Sequence, residues 1–481
     1  MAATPGVAPV AKRELGMIES TWCSILEGGT GIIVCGLLFG RPLSTSSVQA
    51  ALNALVNQLP YVNSRIHMRE KNKLFLELKK NLPLVSEEEL NLNSSISSER
   101  EEEEAKEAWL KVVDLESNKL FPSTKNEEGS PAFQVALYRE LPNQSSLVVL
   151  RLQSCAFDMR CLEPILRVFL SSLRQAVEEE EKGGNNDELL GNLVLKDESL
   201  SGFSYHASIE NLVPKGLADK SFLSMGFNMV GYGVSASRQR YVPFENSQNK
   251  ERKTRHIRTF LSPEDTDRLL QACERNSADF YGALTSAVLK AVADFKRLGT
   301  GREHYGAAVL FNSRNHLSPP LPQEALGFYN SAMLILTQVT EGVNEGSPFW
   351  QVASEATKRF NDAVKNHKHF RDMKDLNYLT VAAVNHPGVT PEGSLRTATV
   401  SILHDPVSLR MPEDAAEFLQ LKDHIAFSSC HGVGPCIAVY PFLEHGSLGL
   451  TFAYPWPLHS RVTVQHLLDN AVKYLLHASS S

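Results

Sequence analysis

The sequence predicts an α/β protein made of two similar lobes, each built on a mixed sheet. The chain has 481 residues, which is too long for one ordinary domain. Hydrophobic residues make up 42% of it, so each half can bury a core. Both halves also mix strand-length apolar runs with amphipathic helical stretches. We therefore expect an N-terminal lobe at 1–182, a crossover linker at 183–254 and a C-terminal lobe at 255–481.

The first lobe opens with a short apolar run, Gly31 to Phe39, which predicts a buried strand. A helix follows to about Leu59, with Ser47 predicted as its N-cap and Pro60 as its stop. The remaining main elements of this lobe are predicted as strands near 63–68, 74–78, 132–139 and 147–153 and a long amphipathic helix at 162–181.

The second lobe contains clear helix starts. Ser262-Pro263 places proline at the first helical position. Ser277 is predicted to cap a further helix that runs to about Arg297. The other elements of this lobe are predicted as strands near 257–261, 306–311, 332–338, 397–403, 436–440 and 448–454 and helices at 347–366 and 462–476.

Charge and cysteine content restrict the functional classes. The net charge is −7, from 48 basic and 55 acidic residues, so the sequence predicts no nucleic-acid partner. Seven cysteines, an odd number in a long chain, favour a reducing compartment over a disulfide framework. No secretory signal is recognisable, and the run from Gly31 to Phe39 is too short to span a bilayer. We expect a cytoplasmic protein without a membrane span.

Motif searches exclude several common active sites. The sequence contains no Gly-x-Ser-x-Gly elbow and no P-loop. Cys155 and Cys161 share a six-residue offset with Cys430 and Cys436, but zinc sites prefer gaps of two to four residues, so no metal site is predicted. The pair His367 and His369 is expected to be solvated rather than metal-bound.

A basic stretch precedes the second lobe. It carries Lys250, Arg252, Lys253, Arg255 and Arg258. Two interpretations remain open for it. It is either a solvated or partner-facing surface, or a contact for an acidic substrate or a coenzyme A phosphate.

Several separated segments resemble one superfamily, in the same order along the chain. They include Pro60-Tyr61-Val62-Asn63-Ser64-Arg65-Ile66, then Asn312-Ser313-Arg314 followed by Leu326-Gly327-Phe328-Tyr329-Asn330, and finally 446–454 with the last helix. The chain is similar to the chloramphenicol-acetyltransferase-like group, which includes peptide-synthetase condensation domains, plant acyl-CoA-dependent acyltransferases and mycobacterial phthiocerol dimycocerosyl transferases. The resemblance implies two similar mixed-sheet lobes with a tunnel between them. The Asp-Phe-Gly-Trp-Gly loop usual in the plant branch has no copy here.

The signature of that group, His-His-x-x-x-Asp-Gly, is degenerate in this chain. The corresponding stretch is Gln153-Ser154-Cys155-Ala156-Phe157-Asp158-Met159. Ser154 therefore stands where the resemblance places the catalytic histidine, a general base worth about 10²–10⁴-fold in rate. Asp158 is retained, and the resemblance implies that it pairs with an arginine of the second lobe, for which Arg314 fits.

Two functions follow from the resemblance. The first is acyl transfer from a thioester such as acyl-CoA to a hydroxyl or amine, by an atypical site in which Ser154 hydrogen-bonds an acceptor or an oxyanion. The alternative is a catalytically inactive ligand-binding or protein-interaction module. Cys155 is either a nucleophile, if a base such as His404 faces the tunnel, or a small buried side chain.

The residues assigned to the site are, for catalysis, Ser154, Asp158 and Arg314, and for substrate binding, Cys155, Phe157, Phe328 and Tyr329. We expect no metal and no cofactor, with acyl-CoA as a co-substrate. The expected partners are a small-molecule acyl donor and acceptor, and the chain is expected to be a monomer.

Overall fold

A computed structural model gives the fold of the chain. It describes residues 11–81, 83–88, 101–141, 145–183, 202–217, 231, 237–297, 303–339, 349–407 and 409–480. Much of the predicted crossover linker, at 184–201, 218–230 and 232–236, lies outside the described residues, as does the predicted helix start at Ser347-Pro348.

A five-stranded sheet forms the centre of the first lobe. Its central strand is buried at every position, because elements cover both of its faces, and it therefore consists mainly of valine and leucine. In spatial order the strands are β14 (Leu421–Cys430), β2 (Thr30–Phe39), β8 (Ser145–Gln153), β7 (Phe133–Leu141) and β5 (Ser86–Glu88).

Four helices pack on this sheet, and the first lobe also contains a small four-stranded sheet. Close approach is visible at Gly36 of β2, where a Cβ atom would lie 2.6 Å from Val113 of the covering helix. The helices are α1 (Met17–Glu27), α2 (Thr45–Gln58), α3 (Glu101–Asn118) and α4 (Leu162–Glu181). The small sheet has the order β1 (Ala11–Glu14), β4 (Leu74–Leu78), β3 (Ser64–Met68) and β6 (Ser130–Pro131).

A seven-stranded mixed sheet forms the second lobe. Its order is β10 (Lys253–Leu261), β16 (Ser447–Trp456), β15 (Gly434–Glu444), β13 (Arg396–Leu403), β11 (Glu303–Asn312) and β12 (Asn330–Val339), with β9 (Gln239–Arg240) beside β11. The described helices that follow α4 along the chain are α5 (Ile209–Leu212), α6 (Pro263–Arg275), α7 (Phe280–Phe295), α8 (Phe349–Lys365), α9 (Lys368–Arg371), α10 (Met373–Asn385), α11 (Glu413–Phe418) and α12 (Arg461–Ser480). Of these, α11 packs on α4 and β14 of the first lobe. Within the part of the chain that the structure describes, no helix is long and apolar enough to cross a membrane.

Each large sheet has its own hydrophobic core, which confirms the predicted two-lobed α/β architecture. One strand nevertheless crosses between the lobes. β14 comes late in the sequence but pairs antiparallel with β2, so that Ala426 lies opposite Cys35. The next strand, β15, joins the seven-stranded sheet. The chain between Cys430 and Gly434 therefore passes from one lobe to the other, and a crevice opens there.

Some local predictions are correct and others are wrong. The helix predicted at 162–181 is confirmed. Ser277 does not cap the next long helix: it has a φ of 52°, and Asp279 caps α7 by accepting a hydrogen bond from the backbone N–H of Gly282 at 2.7 Å. Ser44 rather than Ser47 caps α2 in the same manner. An N-cap residue has an extended backbone, which Asp279 has with φ −95° and ψ 173°, whereas Ser277 is in the left-handed region.

Candidate functional site: a cavity between the two sheets

A cavity with about 940 Å³ of empty space, including its open mouth, lies between the two large sheets. Both lobes contribute to its wall. The five-stranded sheet supplies the start of β2 and the end of β14, and the seven-stranded sheet supplies β11, β12, β13 and β15. Helices α1 and α10 and the loop after β8 complete the lining.

The loop after β8 places Ser154 at the cavity wall. β8 ends at Gln153, whose side-chain amide donates hydrogen bonds to the Ser130 Oγ atom at 2.6 Å and the Pro131 carbonyl at 2.7 Å. The backbone N–H of Ser154 then donates to the carbonyl of Gly31 at 2.9 Å. Gly31 has a φ of 95°, and a Cβ atom there would lie 3.2 Å from the Ser154 Cβ atom. Ser154 is thus held in a close approach between two strands.

Asp158 and Arg314 form the interlobe pair that the resemblance implies. The Nη1 atom of Arg314 donates to Oδ2 of Asp158 at 2.9 Å, and the Nη2 atom donates to Oδ1 at 3.1 Å. The carboxylate also accepts from the backbone N–H of Tyr329 at 2.9 Å and of Arg160 at 3.1 Å. Both side chains are almost fully buried. A buried carboxylate and guanidinium in bidentate contact satisfy each other's charge and geometry.

Arg314 also holds the segment that carries Phe328. Its guanidinium donates to the carbonyl of Ala325 at 2.9 Å and contacts the carbonyl of Gly327 at 3.4 Å. Burial alone would lower the pKa of Arg314, but Asp158 outweighs that effect and raises the pKa above its usual value. The contacts of this pair with backbone groups support the shape of the loops after β8 and before β12.

The structure brings four of the seven predicted site residues to the cavity. Ser154, Phe157, Asp158 and Phe328 line it. The other three, Cys155, Arg314 and Tyr329, lie behind the wall and are buried.

The environment of Cys155 disfavours a nucleophilic role. Burial, reinforced by the neighbouring Cys23 thiol, raises the pKa of Cys155 well above its usual value. Its Sγ atom donates a weak hydrogen bond to the Oε1 atom of Gln153 at 3.4 Å. A thiol kept protonated in this way is a small core side chain, which is the second of the two interpretations given above.

Among the described residues that line the cavity, none is a histidine. His404 stacks on Phe360 with ring centroids 3.9 Å apart, and its Nδ1 atom lies 2.8 Å from the Oδ1 atom of Asp405. Burial would lower the pKa of His404, but Asp279 and Asp405 outweigh it and raise the pKa to about 9. His404 is therefore protonated at neutral pH and cannot accept a proton there.

His431 lies next to the lining residue Cys430 in the sequence, but its own side chain does not line the cavity. Its Nδ1 atom lies 2.9 Å from the Thr254 Oγ1 atom. Its Nε2 atom faces Gly29, where a Cβ atom would lie only 1.8 Å away. Burial, with a contribution from Arg396, lowers the pKa of His431 to about 4.

Sequence reasoning missed one residue that shapes the cavity. Arg396 is fully buried at the start of β13. Its guanidinium donates to the carbonyls of Cys430 at 2.9 Å and of Ser394 at 3.2 Å, and also to those of Gly432 and Pro435. Arg396 thereby fixes the segment that connects β14 to β15. Because its partners are backbone carbonyls, which every residue carries, no side-chain pattern in the sequence reveals it.

Two further sequence hypotheses concern histidines and basic residues. His369 is completely buried, contacting Phe370 with ring centroids 4.1 Å apart, so the prediction of a solvated His369 is wrong.

Three residues of the basic stretch that precedes the second lobe make contacts within the fold: Arg258 with Asp423, Arg255 with Asp114, and Arg252 with the Ser394 carbonyl. In the described ranges, no group of three or more His, Cys, Asp or Glu side chains is arranged to hold a metal ion.

Comparison with solved structures identifies the architecture. The chain superimposes on TRI3 trichothecene 15-O-acetyltransferase from Fusarium sporotrichioides with a TM-score of 0.72 at 10% identity, over 99% of both chains. The chain has the chloramphenicol-acetyltransferase-like fold. Polyketide synthase associated protein 5 from Mycobacterium tuberculosis gives a TM-score of 0.60 at 12% identity, over 98% of this chain and 99% of that one.

A peptide-synthetase domain shares the chloramphenicol-acetyltransferase-like fold as well. The first condensation domain of the calcium-dependent antibiotic synthetase gives a TM-score of 0.60 at 13% identity, over 98% of this chain and 97% of that one. No family sequence model matches the chain. No curated protein sequence matches it either. The likeness therefore concerns the backbone architecture across the whole chain.

Proposed function

We propose that this chain binds a small molecule in its interlobe cavity and does not perform the base-catalysed acyl transfer associated with the chloramphenicol-acetyltransferase-like fold. One observation carries the proposal. Ser154, which the sequence resemblance puts in the place of the general base, lines the cavity, and none of the described lining residues is a histidine. A serine hydroxyl cannot take a proton from an acceptor near neutral pH.

The retained salt bridge supports binding rather than chemistry. Asp158 and Arg314 hold the loops of the cavity wall in place. Their hydrogen bonds go to each other and to backbone groups, so neither side chain is placed to accept a proton from a substrate. Because this pair still holds the cavity walls, it favours a function in which the cavity binds a ligand. It argues against a scaffold whose interior serves no purpose.

The test is product analysis with purified protein, a panel of acyl-CoAs, and mixed alcohols and amines. In the complete reaction the thioester C–S bond breaks, an ester or amide bond forms, and the acceptor proton passes to the sulfur of coenzyme A. We expect no ester product from the native chain. We expect Ser154→His to raise ester formation above the uncatalysed background by about 10²-fold or more, if both substrates enter the cavity.

A matched control tests whether an imidazole must stand at position 154 or can stand anywhere in the cavity wall. Ser401 lies on β13 and also lines the cavity. Ser401→His should remain inactive, because its ring is not on the loop after β8. Ester formation by the native chain, abolished in Asp158→Ala, would contradict the proposal.

A second candidate function is transfer to an amine acceptor without a base. The position of Ser154 at the cavity wall favours it, since a hydroxyl there can hydrogen-bond an oxyanion. An amine with a modest pKa needs less help than an alcohol, and positioning alone contributes several kcal/mol. Amide product from the native chain, reduced in Ser154→Ala, would support this candidate, with acyl-CoA as the donor.

A further inference from the structure

A second pocket lies apart from the interlobe cavity and shares no lining residue with it. It holds about 620 Å³ of empty space, including its open mouth, and lies among β10, β14, β15 and β16. We call it the β14 pocket. The side chains that decide its chemistry are Arg258 and Phe260 of β10, His424 of β14, and Phe442 and Glu444 of β15.

The wall of the β14 pocket carries two aromatic rings. Phe260 is 57% exposed, although phenylalanine is among the residue types most often buried. It lies opposite Gly449 of β16, where a Cβ atom would be 3.0 Å from the Cε1 atom of Phe260, so the ring packs directly against the neighbouring strand. Phe442 lies opposite the same glycine from the other side. The two rings give the pocket the apolar surface that is typical of small-molecule sites.

Arg258 brings a positive charge to the β14 pocket, but this charge is already compensated. Its Nη1 atom donates to Oδ1 of Asp423 at 2.9 Å, and its Nη2 atom donates to Oδ2 of the same carboxylate. A bidentate contact of this kind satisfies both the charge and the geometry of the guanidinium. The charge that remains in the pocket is therefore that of Glu444.

Glu444 contacts histidines. In the part of the chain that the structure describes, its ion-pair partners are His424, with Nε2 3.3 Å from Oε2, and His445, with Nδ1 3.8 Å from Oε1. Burial lowers the pKa of His424 below its ordinary value, although Glu444 and Asp423 act in the opposite direction. His424 is therefore neutral above pH 7. The side chain of Glu444 is 31% exposed, so a ligand can reach it.

This combination selects among ligand classes. Glu444 would repel an anion, and an uncharged ligand would leave its charge without a counter-charge. A metal ion needs several ligands, and the described residues contain no group of three or more His, Cys, Asp or Glu arranged to hold one. An organic ammonium ion meets both features of the pocket. Its N–H groups donate charge-assisted hydrogen bonds to a carboxylate, and aromatic rings attract cations.

We infer that the β14 pocket binds a small primary ammonium ion, with its nitrogen beside the carboxylate of Glu444 and its hydrocarbon part on Phe260 and Phe442. This site goes beyond the proposed function, because it lies outside the interlobe cavity.

The experiment compares three six-carbon probes that differ in charge: hexylammonium, hexan-1-ol and hexanoate. Dissociation constants are measured with the full chain at pH 7.5 by titration calorimetry and ligand-observed NMR. We expect hexylammonium to bind about tenfold or more tightly than hexan-1-ol, because only the ammonium ion pairs with the carboxylate. Hexanoate should bind more weakly than either.

Two variants and a matched control locate the binding site. Glu444→Gln removes the charge but keeps the shape, and should weaken hexylammonium binding about tenfold while leaving the affinity for hexan-1-ol unchanged. Glu417→Gln is the control, because Glu417 is an exposed residue of α11 that does not line the pocket and its replacement changes the net charge equally. Its affinity for hexylammonium should equal that of the native chain.

The second variant, Phe260→Leu, keeps an apolar side chain but removes the ring. It should weaken hexylammonium binding about threefold without changing the affinity for hexan-1-ol. Because more than half of the Phe260 side chain is exposed, this variant tests the site even where Glu444→Gln alters thermal unfolding.

The outcomes that overturn the inference are distinct. Hexylammonium that binds no more tightly than hexan-1-ol would show that the pocket does not select a cation. Equal affinities of the native chain, Glu444→Gln and Phe260→Leu would show that the ion binds elsewhere. Neither result affects the proposed function, because Glu444 and Phe260 do not line the interlobe cavity.

Discussion

Arg314 and Arg396 are both fully buried, and the charge of each is compensated in a different way. Both hold segments that line the interlobe cavity. Arg314 is neutralised by the carboxylate of Asp158, and its pKa is raised. Arg396 places its guanidinium among backbone carbonyls, and burial lowers its pKa to about 10. A carboxylate offsets the cost of burying the cation, whereas carbonyl dipoles offset it only in part.

The largest effect is expected where a buried charge loses its partner. Asp158→Ala leaves the Arg314 guanidinium buried and unpaired, so the free energy of unfolding should fall by about 3–5 kcal/mol. The double variant Asp158→Leu with Arg314→Met removes both charges and should lose less than either single replacement. Urea unfolding of the native chain, Asp158→Leu, Arg314→Met and the double variant measures this. Additive single losses in the double variant would show that the pair is not coupled.

Arg396→Met should cost less than Asp158→Ala. It leaves the carbonyls of Cys430, Gly432 and Pro435 without their donor, but it also removes a poorly compensated buried cation. We expect a loss of about 1–3 kcal/mol in urea unfolding. Arg396→Lys should not restore stability, because one ammonium group cannot reach carbonyls that three guanidinium nitrogens contact.

The control for Arg396 is Arg268→Met on α6. Arg268 pairs with Asp265 three residues earlier, and its side chain is more than half exposed. Its loss should change the free energy of unfolding by less than about 0.5 kcal/mol. A comparable loss in Arg268→Met and Arg396→Met would mean that the carbonyl contacts of Arg396 add nothing to stability.

His404, like Arg314, is a buried cation paired with carboxylates, but it loses its proton at a pH that unfolding experiments can reach. Asp279 and Asp405 outweigh its burial and raise its pKa to about 9, above the ordinary 6.5 of the unfolded chain. The stabilisation is therefore complete below pH 6.5 and is lost as the pH rises through 9. His404→Gln should be about 2–3 kcal/mol less stable than native at pH 6 and converge toward native above pH 9. A difference that stays constant across this range would contradict the assignment.

The sequence predicted well what depends on side-chain patterns and poorly what depends on three-dimensional surroundings. The interlobe partnership of Asp158 and Arg314, 156 positions apart, followed from matching two short motifs. Arg396 left no such pattern, because its partners are backbone carbonyls. His369 was predicted to be solvated because the sequence around it does not show that the rings of Phe311 and Phe370 pack on it in the fold.

The crossing strand β14 has a consequence for how the chain acquires its structure. The backbone N–H of Ile32 donates to the Ser429 Oγ atom at 2.9 Å, although the two residues are 397 positions apart. During synthesis, β2 therefore presents an open edge of apolar sequence long before its neighbour leaves the ribosome. Closing so long a loop is slow, and unpaired edges invite association with other chains. We therefore expect the nascent first lobe to be the stage of synthesis that is most prone to association with other chains.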